Sequence, residues 1–287
     1  MKAPALLPLL AAMLTAAAAA TVAATLAAPA EWRAAVSGFI ALFHVDVAPK
    51  WIVLSLIVFL AAGVSSTVGF AFSALAGAMI LHVVADRFEA VQIMMIASIG
   101  IQALSVAKLA RSISWTRCAP FMAGGIAATP LGALLLLSFK PQAYVPAMGA
   151  ALAAYGLYRL VRRAAAVKRN HGRAADVLIG ALGGITGPLA ALPGPWLTIW
   201  CGMRGWDKVE QRAVYQPYIL LMQLVGFGAV CLVQPPGGLD PRLFAYALPA
   251  CAGAMIGLRV FHALTDMQFQ RLINGALVAS GAALLFK

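Results

Sequence analysis

GGITGPLAALPGPWLTIWCGMRGWDKVEQRAVYQPYILLMQ, residues 183–223, is the stretch whose reading decides the fold. It starts as an apolar helix, meets Gly187-Pro188, and then carries Pro193 and Pro195 where an unbroken membrane helix would place none. Proline lacks an amide donor and its ring collides with the preceding turn, so a helix break is expected at Gly187-Pro188. In hydrocarbon such a break is tolerated only where the freed backbone groups face protein or a watery cavity. The break is therefore a candidate substrate site inside the bilayer.

The 287 residues around it are 63% apolar and 10% charged, with apolar runs too long for a soluble core. The chain reads as an all-α polytopic membrane protein whose surroundings are the lipid bilayer. Its formal charge of +12 does not point to nucleic acid, because the lysines and arginines fall in short segments between apolar runs, where they set orientation. Cys118, Cys201, Cys231 and Cys251 are scattered without a CxxC pair and read as packing residues. His44, His82, His171 and His262 form no ligand cluster, so no metal and no cofactor is expected. The sequence has no Walker loop, nucleotide fingerprint or GxSxG, which argues against ATP-driven transport or hydrolase chemistry within the chain.

In chain order, residues 1–50 hold an Ala/Leu run behind Lys2, read as an uncleaved N-terminal membrane helix rather than a signal peptide, and then an interfacial segment with Trp32, Arg33, His44, Asp46 and Lys50. Residues 51–163 form a first transporter-like repeat. An apolar stretch runs to Gly63, a polar knot follows at Val64 to Gly69, a second apolar stretch reaches Val84, and spans follow at about 90–110, 117–138 and 142–160. Residues 164–173 are a basic loop. Residues 174–287 form a second repeat, with a broken element at 175–204 and spans at about 210–233, 242–261 and 267–286.

The halves match in detail. Gly63 and Gly184, Asp86 and Asp207, Glu89 and Glu210, and Gln102 and Gln223 are each 121 positions apart, while Gly132 and Gly257, and Gly156 and Gly281, are 125 apart. These matches, in order and within one hydropathy pattern, indicate a duplication with a four-residue insertion in the second copy. Lys108, Arg111 and Arg117, and the cluster around 159–173, mark cytoplasmic loops. Asp86 to Glu89 then lies outside and its counterpart inside, so the copies are inverted, each with a broken or re-entrant helix pair plus three spans. Inverted repeats with discontinuous helices are secondary-transporter architecture, with substrate near the midplane at the repeat interface.

The knots supply the chemistry. Ser65, Ser66, Thr67 and Gly69 in one copy, and Thr186 and Gly187 in the other, would each end one half-helix and begin another, leaving amide donors and a positive dipole end for an oxyanion. The bland alternative is that small residues let helices pack closely. Pro193 and Gly194 belong to the second break. Gln102, Gln216 and Gln223, with Gln92, lie in apolar spans, where an amide must be paired or face a cavity. Tyr215 and Tyr218 are hydroxyl donors or members of an interfacial aromatic belt. Asp86, Glu89, Asp207, Glu210 and Arg212 are candidate gating or coupling residues, against which stands a plainer reading as helix caps and ion pairs. Arg212 stands out because it falls just inside a span, where it can attract or neutralise an anion.

GVSSTVGFAFSALAGAMIL and the 183–223 stretch resemble the two signature regions of the sulfite exporter TauE/SafE family, also called TSUP transporters. The resemblance covers about 51–286 and includes a two-fold internal repeat. It implies a permease of the bacterial inner membrane that exports small anions, sulfite, sulfonates or thiosulfate among them. Members typically carry a GxGGG-type stretch in each copy. Here those places read Ser65-Ser66-Thr67-Val68-Gly69-Phe70 and Thr186-Gly187-Pro188-Leu189, a departure that leaves the cargo open. By position, the resemblance directs attention to the knots, Pro193 to Pro195, and Glu210 to Gln216. The expected partner is a small anionic substrate, and a homodimer stays open. The competing readings are a non-transporting membrane scaffold or sensor, which a sealed interior would favour, and a membrane-embedded enzyme, for which no paired catalytic residues are found.

Overall fold

The computed structural model describes residues 50–138, 141–161, 172–190, 193–233 and 240–285. The expected N-terminal helix and interfacial segment before Lys50, and most of the basic loop, lie outside the described residues. Everything described is helical or a short connection, without strands.

The first half comprises α1 (Lys50–Val68), α2 (Phe72–Val83), α3 (Arg87–Leu109), a 3-10 turn at Ala110–Ser112, α4 (Trp115–Ser138) and α5 (Pro141–Val161). The second comprises α6 (Gly172–Ala190), α7 (Pro195–Met203), α8 (Lys208–Val233), a 3-10 segment at Pro241–Tyr246, α9 (Ala247–Ala263) and α10 (Asp266–Leu285). Each half thus runs long helix, short helix, three long helices. Three helical stretches among the described residues, Lys50–Val68, Glu89–Ser112 and Pro241–Ala263, are long and apolar enough to cross a membrane.

The side-chain distribution suits a bilayer. Leu56, Leu134, Leu157, Leu178 and Leu248 are among the apolar side chains on the outer surface. Ser65, Ser66, Gln102, Gln216 and Arg212 are buried. Water would favour the reverse, whereas hydrocarbon welcomes the outward leucines and leaves polar groups to the interior.

The same packing pattern recurs in the two halves. α1 packs on α9 and α6 on α4, α3 packs on α8, and α5 packs on α10. Exchanging the two halves returns the same set of pairs. Glycines let the backbones touch: a Cβ on Gly257 would strike the Gly63 carbonyl, and one on Gly184 the Gly125 carbonyl. Gly63 and Gly184, the positions 121 apart, both lie at these interfaces, but a Cβ on Gly63 would meet the Gly253 carbonyl at an ordinary 3.5 Å, so Gly253 and Gly257 of α9 give the close approach there. Gly156 lies against Asn274 and Val278, and Gly281 against Gly149 and Ala153, so α5 and α10 run antiparallel. Gln223 meets Ser98, while Gln216 and Gln102 meet at one carbonyl further along, so α3 and α8 run antiparallel too.

The second break is displaced from its expected place. α6 does not stop at Gly187-Pro188 but continues to Ala190 with Pro188 inside it. Pro188 falls in the last turn, where the lost amide bond ends little helix beyond it. The interruption comes after Ala190, through Pro193 and Gly194, and α7 starts with Pro195, whose missing N–H is unneeded at a first helical position. The first break also falls at the edge of its knot. Ser65, Ser66 and Thr67 complete α1, and the chain turns at Gly69 (φ 91°) and Ala71 (φ 74°) before α2.

Candidate functional site

Gly69 can turn the chain because it has no Cβ. Its φ of 91° is left-handed, and an added Cβ would collide with the Gln216 amide and the Tyr215 ring. That turn exposes two backbone carbonyls in a buried place, and α3 and α8 supply their donors. The Tyr215 hydroxyl donates to the Val68 carbonyl at 2.7 Å, and the Gln216 and Gln102 amides donate to the Gly69 carbonyl at 2.9 and 3.4 Å. Buried carbonyls need such partners.

The second break reaches the same place. A Cβ on Gly194 would lie 3.3 Å from Phe70 Cβ and 2.7 Å from Ile219 Cδ1, so the two interruptions are in near contact. Between them lies a cavity of about 20 Å³. Phe70 to Ser73 line it from the first break and Pro193 to Pro195 from the second, with Ser98 and Gln102 of α3 and Ile219 and Gln223 of α8. Gln102 and Gln223, 121 positions apart, thus face one space. The space admits about one water and no oxyanion of three or four oxygens.

Two helix N-termini open at this cavity. α2 begins after Ala71 and α7 after Gly194, and neither start has a side-chain cap. The first amides of each short helix have no intrahelical acceptor, and the positive dipole ends add to them. Several amide oxygens also remain without donors: Oε1 of Gln102, Gln216 and Gln223 are buried and unpartnered, as is Ser66 Oγ.

The other predicted residues lie elsewhere. Ser65, Ser66 and Thr67 do not line the cavity; Thr67 Oγ1 donates back to the Gly63 carbonyl at 3.1 Å, and Ser66 faces Gly257 of α9. Thr186 donates to Gly183 within α6 at 3.4 Å, and Gly187 comes near Pro193 without reaching the cavity. Gln216 reaches only the Gly69 carbonyl at its margin. Tyr218 donates to Gly180 at 2.7 Å, tying α8 to α6. Ser98 is a cavity residue that sequence reasoning missed; it lies one turn before Gln102 on the same face of α3, and its Oγ accepts from the Gln223 amide at 2.5 Å. That four-residue spacing was the available signal.

The charged candidates sit at helix ends. Asp207 caps α8, its Oδ1 accepting the Val209 and Glu210 amides at 2.8 Å each. Glu89 pairs with Lys50 at 3.0 Å and Glu210 with Arg117 at 3.2 Å, both near the surface. Asp86 and Glu89 line a second cavity of about 220 Å³ with Gln92, Asp240 and Leu243. The Asp240 carboxyl is held below the usual range by the Arg242 backbone N–H and guanidinium. Arg212 is different: its side chain is wholly buried.

The profile of the sulfite exporter TauE/SafE family matches residues 54–284, nearly everything described. The chain belongs to that family. No curated protein and no solved structure matches it. Membership makes this a membrane protein of a transporter family for sulfur-related anions rather than an enzyme of the membrane. Both helix breaks, the cavity between them and the α3 and α8 faces that line it fall within the matched residues of this TauE/SafE chain.

Proposed function

We propose that this TauE/SafE protein is a secondary transporter that exports small sulfur oxyanions or organosulfonates, holding them between its paired helix breaks near the bilayer midplane. The observation that carries this reading is the common cavity: two interrupted helices meet there, each offering uncapped amides, with Gln102 and Gln223 beside them. Backbone amides suit an oxyanion that must also leave, because they bind without a fixed counter-charge.

The two halves act as inverted repeats. Support comes from the antiparallel course of α3 against α8 and of α5 against α10, and from packing pairs that survive exchange of the halves. In this reading the present cavity, large enough for about one water, is the closed state, and substrate enters when the breaks part. The basic ends around Arg117 and Lys208 support a cytoplasmic orientation for that side, and in this reading a bacterial inner membrane supplies an inside-negative potential that favours anion exit.

The test is flux of labelled sulfite through liposomes containing the purified protein. Gln102→Leu and Gln223→Leu should each cut the initial rate roughly tenfold or more, because each removes an amide whose N–H groups, held by Gly69 and Ser98 in the closed state, turn to the cargo when the breaks part. Wild-type protein that moves neither sulfite, thiosulfate, sulfoacetate nor sulfate would leave the scaffold reading in its place.

A further inference from the structure

Arg212 is completely buried, and its Nε, Nη1 and Nη2 have no hydrogen-bond partner among the described residues. An arginine stays charged in proteins and offers five N–H donors, so this is a desolvated cation without a counter-charge. The ring of Phe261 lies 4.3 Å from its guanidinium carbon, and a ring face offsets little of that desolvation.

The nearby carboxylates and the carbonyls at the end of α9 are engaged elsewhere. Lys208 Nζ donates to the carbonyls of Phe261, His262 and Leu264 at the end of α9. Asp207 caps α8, Asp266 accepts the Lys208 amide, Glu210 pairs with Arg117, and Asp176 pairs with Arg204 at 2.6 Å. Glu89 and Asp240 pair with Lys50 and Arg242, and Asp86 belongs to the opposite end of the antiparallel α3–α8 pair. The described carboxylates thus leave Arg212 without a mate.

Its position connects it to the cavity. Arg212, Gln216, Ile219 and Gln223 follow one another at four- and three-residue steps along one face of α8. Arg212 stands roughly 10 Å along the axis from cavity-lining Ile219, at seven residues of about 1.5 Å each. It lies toward the end that carries Lys208, Arg204 and Arg117.

We infer that Arg212 forms a second anion station on the same path, where an oxyanion or sulfonate is charge-paired between the Lys208 end of α8 and the amide-lined cavity. The planar guanidinium fork donates to two oxygens of one such group at once, which selects sulfite- or sulfonate-like ions over a single-atom halide. The inference rests on the anion-transport reading and adds to it a separate binding place and the sign of the cargo's charge.

Thermal unfolding of the full chain in detergent, with anaerobic sulfite or with sulfate, tests it. Wild-type protein should melt at a higher temperature as either anion is added. Arg212→Met should melt at or above the wild-type temperature without anion, since it removes an unpaired buried charge, and should lose at least half of the anion-induced rise. Arg212→Lys should keep part of that rise. The paired variant Gln102→Leu/Gln223→Leu separates the two sites. If it keeps the full rise while Arg212→Met loses it, the helix-break reading falls and the Arg212 station stands. If Arg212→Met keeps the full rise, or wild-type protein responds to neither anion, the station is overturned. Should Arg212→Met fail to fold, crystals of the wild-type chain soaked in selenate decide: an anomalous peak within hydrogen-bond reach of Arg212 supports the station, and its absence there overturns it.

Discussion

Helices α3 and α8 hold corresponding places in the two halves yet are finished differently. Both begin near an Asp and a Glu, and both present a glutamine to the shared cavity, Gln102 in one and Gln223 in the other. Between those landmarks α3 carries Val91, Met94 and Met95, while 121 positions on α8 carries Arg212, Tyr215 and Gln216. The consequence appears at the breaks. Tyr215 and Gln216 fasten the carbonyls of Val68 and Gly69, so the first break is clamped from the second half. The methionines of α3 have no donor to return the favour, and the second break relies on Pro193, Gly194 and Pro195. The two facing interruptions are thus held differently, the first fastened by side-chain hydrogen bonds from α8 and the second bounded by Pro193, Gly194 and Pro195.

The largest expected effect separates the breaks directly. Gly69→Ala combines a left-handed φ with a clash against Tyr215 and Gln216, and should lower stability by roughly 3 kcal/mol or more, seen as a collapse of monodisperse protein on heating in detergent. Gly194→Ala has an allowed φ of −78° and meets chiefly the movable tip of Ile219, so its cost should stay nearer 1 kcal/mol while sulfite flux falls. Equal destabilisation at the two sites would undo the contrast between the two interruptions.

Tyr215→Phe comes next. It strips a 2.7 Å hydrogen bond from the buried Val68 carbonyl and should cost about 1–3 kcal/mol in thermal or denaturant unfolding. Met94→Leu, at the corresponding place in α3, nearly conserves volume and breaks no polar contact, so its cost should stay below about 1.5 kcal/mol. A smaller effect, of opposite sign, belongs to Ala71→Gly. Ala71 holds φ 74° without being glycine, and relieving that conformation should raise stability by about 1 kcal/mol. If Ala71→Gly also slows transport, the strain at the first break serves the opening of the site.

The amino-acid pattern made the helices and the two interruptions between them legible, because long apolar runs and the prolines and glycines that end them are local signals. Gln102 and Gln223 could be singled out since an isolated amide in an apolar span must have a polar reason, and both line the cavity. The exact stopping points could not be placed. Pro188 reads as a breaker by its chemistry alone, but helix α6 carries it in its final turn, and only tertiary packing reveals that Pro193 and Gly194 are what meet Phe70. The Ser65 to Thr67 knot misled for a related reason. Hydroxyls within a membrane helix can satisfy themselves on the preceding turn, as Thr67 does on Gly63, so a polar cluster need not face a cavity. Tyr215 as a clamp was also beyond reach, because its carbonyl partner lies 147 positions away.

The smallest expected effects lie at two surface ion pairs. Glu89 and Glu210 are 121 positions apart, but Glu89 pairs with Lys50 of α1 and Glu210 with Arg117 of α4. Their side chains are 33% and 42% exposed, so solvent screens both pairs and each should contribute below about 1 kcal/mol. Arg117 also lies 5.7 Å from the Trp206 ring and keeps that contact when Glu210 is neutralised. Glu89→Gln and Glu210→Gln should therefore leave both melting temperature and sulfite flux close to wild type. If Glu210→Gln alone cripples flux without lowering stability, the contact between α8 and α4 must break and reform during transport. The difference between the halves would then extend from the buried clamp at Tyr215 out to the mouth of the path.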